Sequence, residues 1–323
     1  MRKRLEVNLT RLALFTVPRI PRPALVAATR FLGGVAFHLA RGTRRIGMQN
    51  LDLVYGDSRS PAEKAAILRQ SFQTFALVLA DIFWFTRHPR ERLAKFVHFD
   101  DEAIRWLERP PLICVTGHLG NWETLGQAVA NAGFPLHSVA APLSNPAVDE
   151  LFIPSRQLSG QTILSSEGAL RKLLRILREG GRFAILLDQN TKPTEGGVFV
   201  PFLGLPAPVS TGAAMLATRT GSNLVFGYAL PQSDGRYRVI APLGIAAQEV
   251  EAMPERGGDQ VDALTLRITR NIEETILAYP GCWLWMYKRW KYVLPGYERD
   301  QYPDYAKPLP DLETAKARLL PGS

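Results

Sequence analysis

From residue 111 onward, short apolar runs alternate with longer amphipathic segments, and this alternation constrains the fold more than any other feature of the chain. The apolar runs have the length of strands and lie at 112–116, 136–140, 161–164, 183–187, 198–202, 224–229 and 237–240. Helical patterns lie between several of them, at 122–131, 146–158, 167–179 and 211–220. The alternation predicts an α/β fold with a mixed, mostly parallel central sheet flanked by helices.

A long helix is predicted ahead of this region. The segment Ser60-Pro61-Ala62-Glu63 is a capping box with proline at the first helical position. The run from Ala65 to Trp84 carries apolar residues at helical spacing, so we expect it to be largely buried.

Charge is distributed unevenly along the chain. The 39 Lys and Arg residues and 30 Asp and Glu residues give a net charge of +9. The first 45 residues hold ten basic residues and one acidic residue, which leaves 29 of each kind in the remainder. A basic arm on a neutral body indicates an anionic surface as partner, either lipid head groups or nucleic acid.

The composition of residues 1–45 favours lipid. Apolar stretches at 12–17 and 24–40 are interrupted or flanked by arginines and prolines, and neither reaches the ~20 apolar residues of a comfortable membrane span. No signal-peptide cleavage pattern follows. We expect a basic amphipathic arm lying in the membrane interface, with a short or tilted span over 24–40 as the alternative. Aromatic and basic residues are not interleaved as in a stacking groove, so no nucleic-acid partner is expected.

Two cysteines and a proline-rich C-terminus complete the outline. Cys114 and Cys282 lie far apart and match no metal spacing, so a reduced compartment is expected and neither needs to be a ligand or a nucleophile. Residues 294–323 are polar and proline-rich, which predicts a surface tail. The predicted organisation is an arm at 1–45, a body at 46–293 and a tail at 294–323.

The segment from Pro111 to Glu123 is the first candidate site. A strand-like run ends in a Thr-Gly turn at His118, and a helix-like run begins after Asn121 with Glu123 on its opening turn. Active sites of α/β sheets gather at the carboxyl ends of strands. An imidazole there, with a carboxylate in reach and helix N–H groups exposed, is a catalytic arrangement. A capping Asn and a surface His in an ordinary turn is the alternative.

Three further segments are candidates for functional sites. Asn145-Pro146 leads to Arg156 and Gly160, and a second strand-like run ends in Asp188-Gln189-Asn190. The aromatic block at 279–291 lies beside cations and is interpreted as core wall, a membrane-interface belt or the lining of an acyl channel.

The helical pattern at 167–179 places its apolar and its basic residues on different faces. Leucines form one stripe, and four cations point elsewhere: Arg171, Lys172, Arg175 and Arg178. The basic face is either a solvated helix surface or a dock for an anionic partner.

These motifs together resemble a known family. Gly117-His118-Leu119-Gly120-Asn121-Trp122-Glu123 resembles the His-x4-Asp/Glu motif of membrane-associated acyltransferases, and more narrowly that of the lipid A biosynthesis acyltransferases, the lauroyl and myristoyl transferases. The similarity covers roughly residues 40–292 and continues in the family's order through Asn50-Leu51, Asn145-Pro146, Arg156 with Gly160, Asp188-Gln189, 197–204 with Ala207, and 283–291.

The chain also departs from the family pattern. Asn190 stands where the family usually has Asp, and Tyr287-Lys288 stands where it has His-Arg. Gly281-Cys282 replaces a Gln that commonly precedes the aromatic block, and the long N-terminal anchor is weak. These differences leave acyl transfer intact and weaken the transfer of substrate identity, since related enzymes acylate mannosylated phosphatidylinositol or other glycolipids.

The resemblance implies a glycerol-3-phosphate-acyltransferase-like fold, with 46–293 as the acyltransferase domain. It implies an O-acyltransferase that moves a fatty acyl chain from a thioester to a hydroxyl of a lipid A precursor or related glycolipid. His118 would be the general base, and Glu123 would orient its imidazole, with Asp188 as the competing carboxylate.

The remaining implied roles concern binding. Asn121, Arg156, Asp188, Gln189 and Arg289 are implied to bind substrate. The backbone N–H groups around Gly120-Asn121 and the Arg156 side chain are the candidates for stabilising the oxyanion.

The implied donor is an acyl carrier protein, which is acidic, with coenzyme A as the alternative. The resemblance implies no metal or redox cofactor. The expected setting is the cytoplasmic face of an inner membrane, where a monomer is held peripherally or by a single short anchor among anionic lipids. Two rivals stay open: a phosphatidylinositol-mannoside or lysophospholipid acyltransferase, and a non-catalytic membrane lipid-binding module.

Overall fold

The computed structural model describes residues 2–140, 145, 147, 150–151, 159–165 and 168–321. The predicted helix at 146–158 and Arg156 therefore lie largely outside the described residues. The helices are α1 Arg2–Thr16, α2 Arg22–Leu39, α3 Arg41–Tyr55, α4 Pro61–Trp84, α5 Pro89–Phe96, α6 Asp101–Leu107, α7 Trp122–Asn131, α8 Ala169–Arg178, α9 Gly212–Thr220, α10 Ala247–Glu251, α11 Gly257–Ala278 and α12 Asp311–Lys316.

The strands are β1 Val97–Phe99, β2 Leu112–Thr116, β3 His137–Ala140, β4 Thr162–Ser165, β5 Arg182–Leu186, β6 Gly197–Phe202, β7 Leu205–Ser210, β8 Asn223–Pro231, β9 Tyr237–Ile245, β10 Tyr292–Val293 and β11 Lys307–Pro308. Seven of them form the central sheet in the order β1-β9-β8-β2-β5-β3-β4. All neighbours pair in parallel except β8 and β9. The predicted mixed, mostly parallel sheet is confirmed. The run at 198–202 is a strand but lies outside this sheet, in a separate hairpin with β7.

Strand β2 lies in the middle of the sheet. Leu112, Ile113 and Val115 have no solvent exposure, as expected for a parallel strand covered on both faces. Ile113 and Val115 belong to the core formed with α8, α9 and α11, whereas Cys114 packs into the core formed with α6 and α7. After β2 the chain forms β3, β4 and β5 on one side of it, and later forms β8 and β9 on the other side. The strand order therefore reverses at β2, and such a switch point is where ligands bind in sheets of this kind.

Helix α4 begins and packs as its sequence predicts. Ser60 and Glu63 form the reciprocal capping box, with Ser60 N–H donating to Glu63 Oε2 over 2.8 Å. Gly33 of α2 lies against α4 so closely that a Cβ there would overlap the backbone of Gln73. Among the described residues, α4 is the one helix long and apolar enough to cross a membrane by itself, and α2 with α3 would pass the same test as a pair bent by 89°.

The N-terminal arm is built into the body. The predicted boundary at residue 45 falls inside α3, and Arg22 of α2 forms a buried ion pair with Asp81 of α4. The outer faces of α1 and α2 are nonetheless apolar and exposed. Of the sixteen large apolar side chains that are exposed among the described residues, eight lie there: Leu5, Leu9, Leu12, Phe15, Phe31, Leu32, Val35 and Leu39.

The C-terminal segment differs from the predicted surface tail. Strand β11 pairs with β10, and Leu294, Tyr302, Leu309 and Leu320 are buried. The segment therefore closes the core beside the β6–β7 hairpin. Isolated apolar anchors between prolines hold it, and such anchors have no periodicity that a sequence pattern would reveal.

Candidate active site

The site is formed where β2 and β5 end side by side. Thr116 pairs with Leu186 in the parallel register, so the loops that follow both strands leave the sheet together. One loop carries His118 and the other carries Asp188. His118 Nδ1 lies 2.9 Å from Asp188 Oδ1. Gly117 permits this approach, because a Cβ there would lie 3.0 Å from Cγ of Asp188.

Asp188 accepts three hydrogen bonds although it is buried. Besides the imidazole, the backbone N–H of His118 and the indole Nε1–H of Trp283 each donate to Oδ2 over 2.8 Å. Burial by itself would raise the pKa of Asp188, but the neighbouring His118 and these hydrogen bonds outweigh it and hold the pKa below its ordinary value. The carboxylate is therefore ionised at neutral pH.

The contacts of the imidazole define which nitrogen is available for chemistry. Because Asp188 can only accept, Nδ1 of His118 carries a proton and Nε2 carries the lone pair. The side-chain amide of Gln189 lies 3.2 Å from Nε2 and donates to it. The ring rests against Trp122, with 4.7 Å between centroids. The acceptor nitrogen therefore faces away from the carboxylate, which is the geometry that a general base requires.

The loop after His118 is held by two neighbouring segments. Gly120 has φ of +65°, and a Cβ there would overlap the carbonyl of Ala229. Its N–H donates to the carbonyl of Cys282 over 2.9 Å, and the N–H of Asn121 donates to Ala229 over 2.8 Å. The expectation that these two N–H groups stabilise an oxyanion is wrong, because both are already bonded within the fold.

Asn121 belongs to a buried polar network. Its Oδ1 caps α7 by accepting from the N–H of Thr124, and its amide donates to Tyr237 over 2.9 Å and to Asp81 over 3.2 Å. Asp81 also binds Arg22 of the arm. Asn121 has no solvent exposure, so the structure gives it a positioning role, and direct substrate contact would require these bonds to break.

An apolar cleft lies beside the pair, between the sheet and helices α6 and α7. The cleft is partly open, and the space in it amounts to about 860 Å³ when the open solvent is counted. Thr116, Trp122 and Glu123 line it near His118, and Cys114, Ala184 and Val225 line it one row deeper. Successive rows on one face of a sheet are ~7 Å apart. The cleft therefore extends down the sheet away from the imidazole.

Arg289 lies behind the loop that carries Asp188. Its Nη1 donates to Asn190 Oδ1 over 2.7 Å and to the carbonyl of Pro208 over 3.1 Å, and its guanidinium lies over the ring of Phe202. Burial lowers the pKa of Arg289 to about 10. The side chain has no solvent exposure, so its predicted contact with substrate is not visible in this arrangement and stays a prediction.

The structure distinguishes the two carboxylates proposed for His118. Asp188 occupies the Nδ1 side of the ring, while Glu123 lines the cleft on the first turn of α7. The role of Glu123 stays a prediction, as does that of Arg156, which lies outside the described residues. Asn145 is described and buried, and its amide donates to Glu6 of α1 over 2.9 Å.

The aromatic block is core wall. Trp283, Trp285 and Trp290 are buried, and Asn50 donates to the carbonyls of Trp285 and Tyr287 over 2.7 and 2.8 Å. Sequence reasoning missed that the Trp283 indole binds Asp188. Aromatic density marked the residue, but only the packing of the chain aims its N–H.

The thiols and possible metal ligands offer no further reactive group. Burial raises the pKa of Cys114 to about 12 and that of Cys282 to about 11, so neither is a ready nucleophile. In the part of the chain that the structure describes, no three His, Cys, Asp or Glu side chains cluster as metal ligands would.

A histidine–aspartate pair at the carboxyl edge of an α/β sheet, with an apolar cleft nearby, is the arrangement expected of an α/β enzyme that acts on an apolar substrate. Sequence comparison identifies the family. A family model described as bacterial lipid A biosynthesis acyltransferase matches residues 4–292. The chain belongs to this family, which confirms the resemblance.

The chain is also similar to two proteins named phosphatidylinositol mannoside acyltransferase. The Mycobacterium tuberculosis protein is 28% identical over 179 residues, which cover 54% of this chain and 52% of the relative. The match thus spans about half the length of that protein. The Mycolicibacterium smegmatis protein is 24% identical over 275 residues, which cover 83% of this chain and 86% of the relative.

Proposed function

We propose that the protein is an O-acyltransferase that moves a fatty acyl chain from a thioester to a hydroxyl of a membrane glycolipid, with His118 as general base. The observation that carries the proposal is the Nδ1 contact of His118 with Asp188, which leaves the basic Nε2 beside an apolar cleft. Membership of the acyltransferase family supports the reaction class.

The reaction follows from the proton positions. An acceptor hydroxyl displaces the Gln189 amide from Nε2 and donates its proton there as its oxygen attacks the thioester carbonyl. Asp188 stabilises the imidazolium that forms. Collapse of the tetrahedral intermediate forms the ester C–O bond and breaks the C–S bond, and the imidazolium returns the proton to the leaving thiolate.

The Gln189 amide is our candidate for stabilising the oxyanion. It lies at Nε2 of His118, where the carbonyl must be placed for attack, and it is half-buried. The backbone N–H groups of Gly120 and Asn121 are bonded elsewhere, which leaves this side chain as a described donor beside the reacting atoms.

The cleft is our candidate for the acyl chain. Its wall includes aliphatic and small residues in two rows along β2, and it is also lined by Trp122, the residue that contacts the His118 ring. An acyl chain extending down this wall would place its thioester carbonyl at Nε2. Gly227 in the wall contributes no side chain and keeps the cleft open.

The exposed arm supports action at a membrane. The outer apolar residues of α1 (Leu5, Leu9, Leu12 and Phe15) span an arc of ~120° by helical geometry, and exposed arginines lie around them. We propose that the protein lies at the cytoplasmic face of the inner membrane, with α1 and α2 immersed in the interface. α4 lies inside the fold against α2 and serves as a core helix.

The acceptor is a glycolipid, and two candidates share the chemistry. The family description favours a lipid A precursor, whereas the names of the two relatives favour a phosphatidylinositol mannoside. The donor is proposed to be an acyl carrier protein, with coenzyme A as the alternative.

The test is acyl transfer by the purified protein in vesicles, with radiolabelled acyl carrier protein or acyl-coenzyme A as donor. Lipid A precursor, phosphatidylinositol mannoside and a lysophospholipid are offered separately as acceptors. A labelled glycolipid ester supports the proposal and identifies the acceptor. Lipid binding without turnover for any donor and acceptor would instead indicate a non-catalytic lipid-binding module.

A further inference from the structure

A short stretch of the aromatic block pairs with the loop that carries His118. The N–H of Leu284 donates to the carbonyl of His118 over 3.0 Å. On the other side, the carbonyl of Cys282 accepts from the N–H of Gly120 over 2.9 Å. These two bonds flank Trp283 in sequence, so the backbone of Trp283 is held against the His118 loop.

The side chain of Trp283 reaches the second loop of the site. Its Nε1–H donates to Oδ2 of Asp188 over 2.8 Å, and both side chains are buried. The carbonyl of Trp283 accepts from the hydroxyl of Ser71 in α4, so the residue is held at its backbone as well as at its ring. Trp283 lies outside the described lining of the cleft, so its effect on a bound acyl chain is exerted through Asp188.

The indole bond fixes the carboxylate and draws charge from it. With the N–H groups of His118 and Trp283 both on Oδ2, the carboxylate cannot turn without losing a bond, and Oδ1 stays aimed at Nδ1 of the imidazole. An indole nitrogen donates only, so the bond favours the ionised form of Asp188. Without this bond more of the negative charge would lie beside the imidazole, which would favour the protonated ring over the free base.

We propose that Trp283 is a positioning residue for acyl transfer, whose indole N–H acts through Asp188 to set the orientation and the basicity of His118. The assignment rests on the proposed function and adds a third member to the histidine–aspartate pair. Its effect should appear in kcat and in the pH dependence of kcat. KM should be unaffected, because the indole contacts no described residue that lines the cleft wall along β2.

The groups around Asp188 decide what a pH profile reports. Besides His118, the charge of Asp188 acts on Tyr228 of β8 and on Arg289. Burial raises the pKa of Tyr228 above its ordinary value of 10.0 and lowers the pKa of Arg289 to about 10, so neither changes its charge between about pH 5 and 8. Glu123 lines the cleft near the ring and is left unchanged in the comparison. A change between two variants in this range therefore reports on the imidazole.

The test compares two neighbouring tryptophans. Trp285 is also buried, its indole donates to the carbonyl of Pro280 over 2.7 Å, and its ring lies edge-on to that of Trp283 with 4.7 Å between centroids. Trp283→Phe and Trp285→Phe each remove one indole N–H and the same volume from one cluster, but Trp285→Phe keeps the bond to Asp188. Urea unfolding checks that the two variants lose comparable stability. Where a phenylalanine variant does not fold, benzothienylalanine at the same position replaces the N–H by sulfur and keeps the shape of the ring.

We expect kcat of Trp283→Phe to fall ~10-fold, with KM within about twofold of wild type. The midpoint of the acidic limb of its pH–kcat profile should move up by ~0.5 pH unit or more, because the ring holds its second proton to higher pH. Trp285→Phe should keep kcat within about twofold of wild type and its limb in place. Equal effects of the two variants overturn the assignment, and so does a fall in kcat without a moved limb, since packing alone would produce either.

An NMR measurement decides the assignment without catalysis. In protein labelled with ¹⁵N-histidine, the Nδ1–H proton of His118 should move to lower field in Trp283→Phe, because Asp188 then accepts more strongly from the ring. The resonance should stay in place in Trp285→Phe. A resonance that moves in neither variant, or equally in both, overturns the assignment. A wild type that transfers from no thioester refutes the proposed function, whereas the NMR result still decides the role of the indole.

Discussion

Replacing Asp188 by asparagine removes one acceptor from a group that accepts three hydrogen bonds. Its Oδ2 accepts from two N–H groups, the backbone of His118 and the indole of Trp283, and its Oδ1 accepts from the imidazole. In the Asp188→Asn variant, the new side chain keeps two bonds by placing its oxygen at the Oδ2 position. Its NH₂ group then points at Nδ1 of His118, which must become the unprotonated nitrogen, so Nε2 gains the proton and stops acting as a base.

The expected loss in kcat is ~10³-fold, which corresponds to ~4 kcal/mol of transition-state stabilisation. KM should change little, because no group that binds the acyl chain is altered. The fold should survive, since the variant gives up one charge-assisted hydrogen bond, worth about 1.5–3 kcal/mol.

The assay is steady-state transfer from acyl carrier protein, paired with ¹⁵N NMR of the imidazole to read which nitrogen carries the proton. The prediction is a low kcat together with an exchanged tautomer. A variant with kcat within about threefold of wild type would show that Asp188 does not set the base. The parallel Glu123→Gln variant tests the other carboxylate, and a larger loss there would reverse the assignment.

The depressed pKa of Asp188 also predicts a pH dependence of stability. A folded-state pKa below the ordinary value of 3.8 means that the ionised carboxylate stabilises the fold at pH values above 3.8. The stabilisation is lost as the pH falls below 3.8 and through the folded-state pKa. The difference in unfolding free energy between wild type and Asp188→Asn, measured with urea, should therefore shrink as the pH falls below ~4. A difference that grew as the pH fell below ~4 would contradict the sign.

Three other outcomes follow from the packing. Gly227→Leu should project into the cleft and shorten the preferred acyl chain by about two to four carbons, read by mass spectrometry of the product; an unchanged chain-length distribution would remove the cleft as acyl site. Arg22→Met leaves Asp81 buried without its cation and should cost ~3–5 kcal/mol in chemical denaturation, and a loss below about 1 kcal/mol would refute the network. Leu9→Glu should abolish flotation with anionic vesicles, while Leu312→Glu, similarly exposed on α12, should not.

Local patterns predicted the elements of the site but not their contacts. The apolar runs ending at 116 and 187 indicated two strand ends, and polar side chains after both marked His118 and Asp188 as candidates. Their pairing depends on β2 and β5 being neighbours, although β3 and β4 lie between them in sequence. Strand order is a property of the whole sheet, so local reasoning left Glu123, five residues from His118, as the nearer partner.

Other features of the structure could not be predicted from local sequence patterns, for related reasons. The family motif implies that Asn121 binds substrate, yet three elements converge on its side-chain amide and use it inside the fold. Helix α11 was not assigned because its start, Gly257-Gly258, lacks a helix signal, and its burial comes from the packing of 22 residues against the sheet. The C-terminal segment is held by single anchors such as Leu320.

The central claim is that this chain transfers an acyl group to a membrane glycolipid through His118. Lipid mass spectrometry of a strain that lacks the gene, complemented with wild type or with His118→Ala, tests it most directly. We predict that one glycolipid loses a single acyl group in the deletion strain and regains it only with the wild-type chain. A glycolipid profile unchanged by the deletion, or restored equally by His118→Ala, would contradict the account.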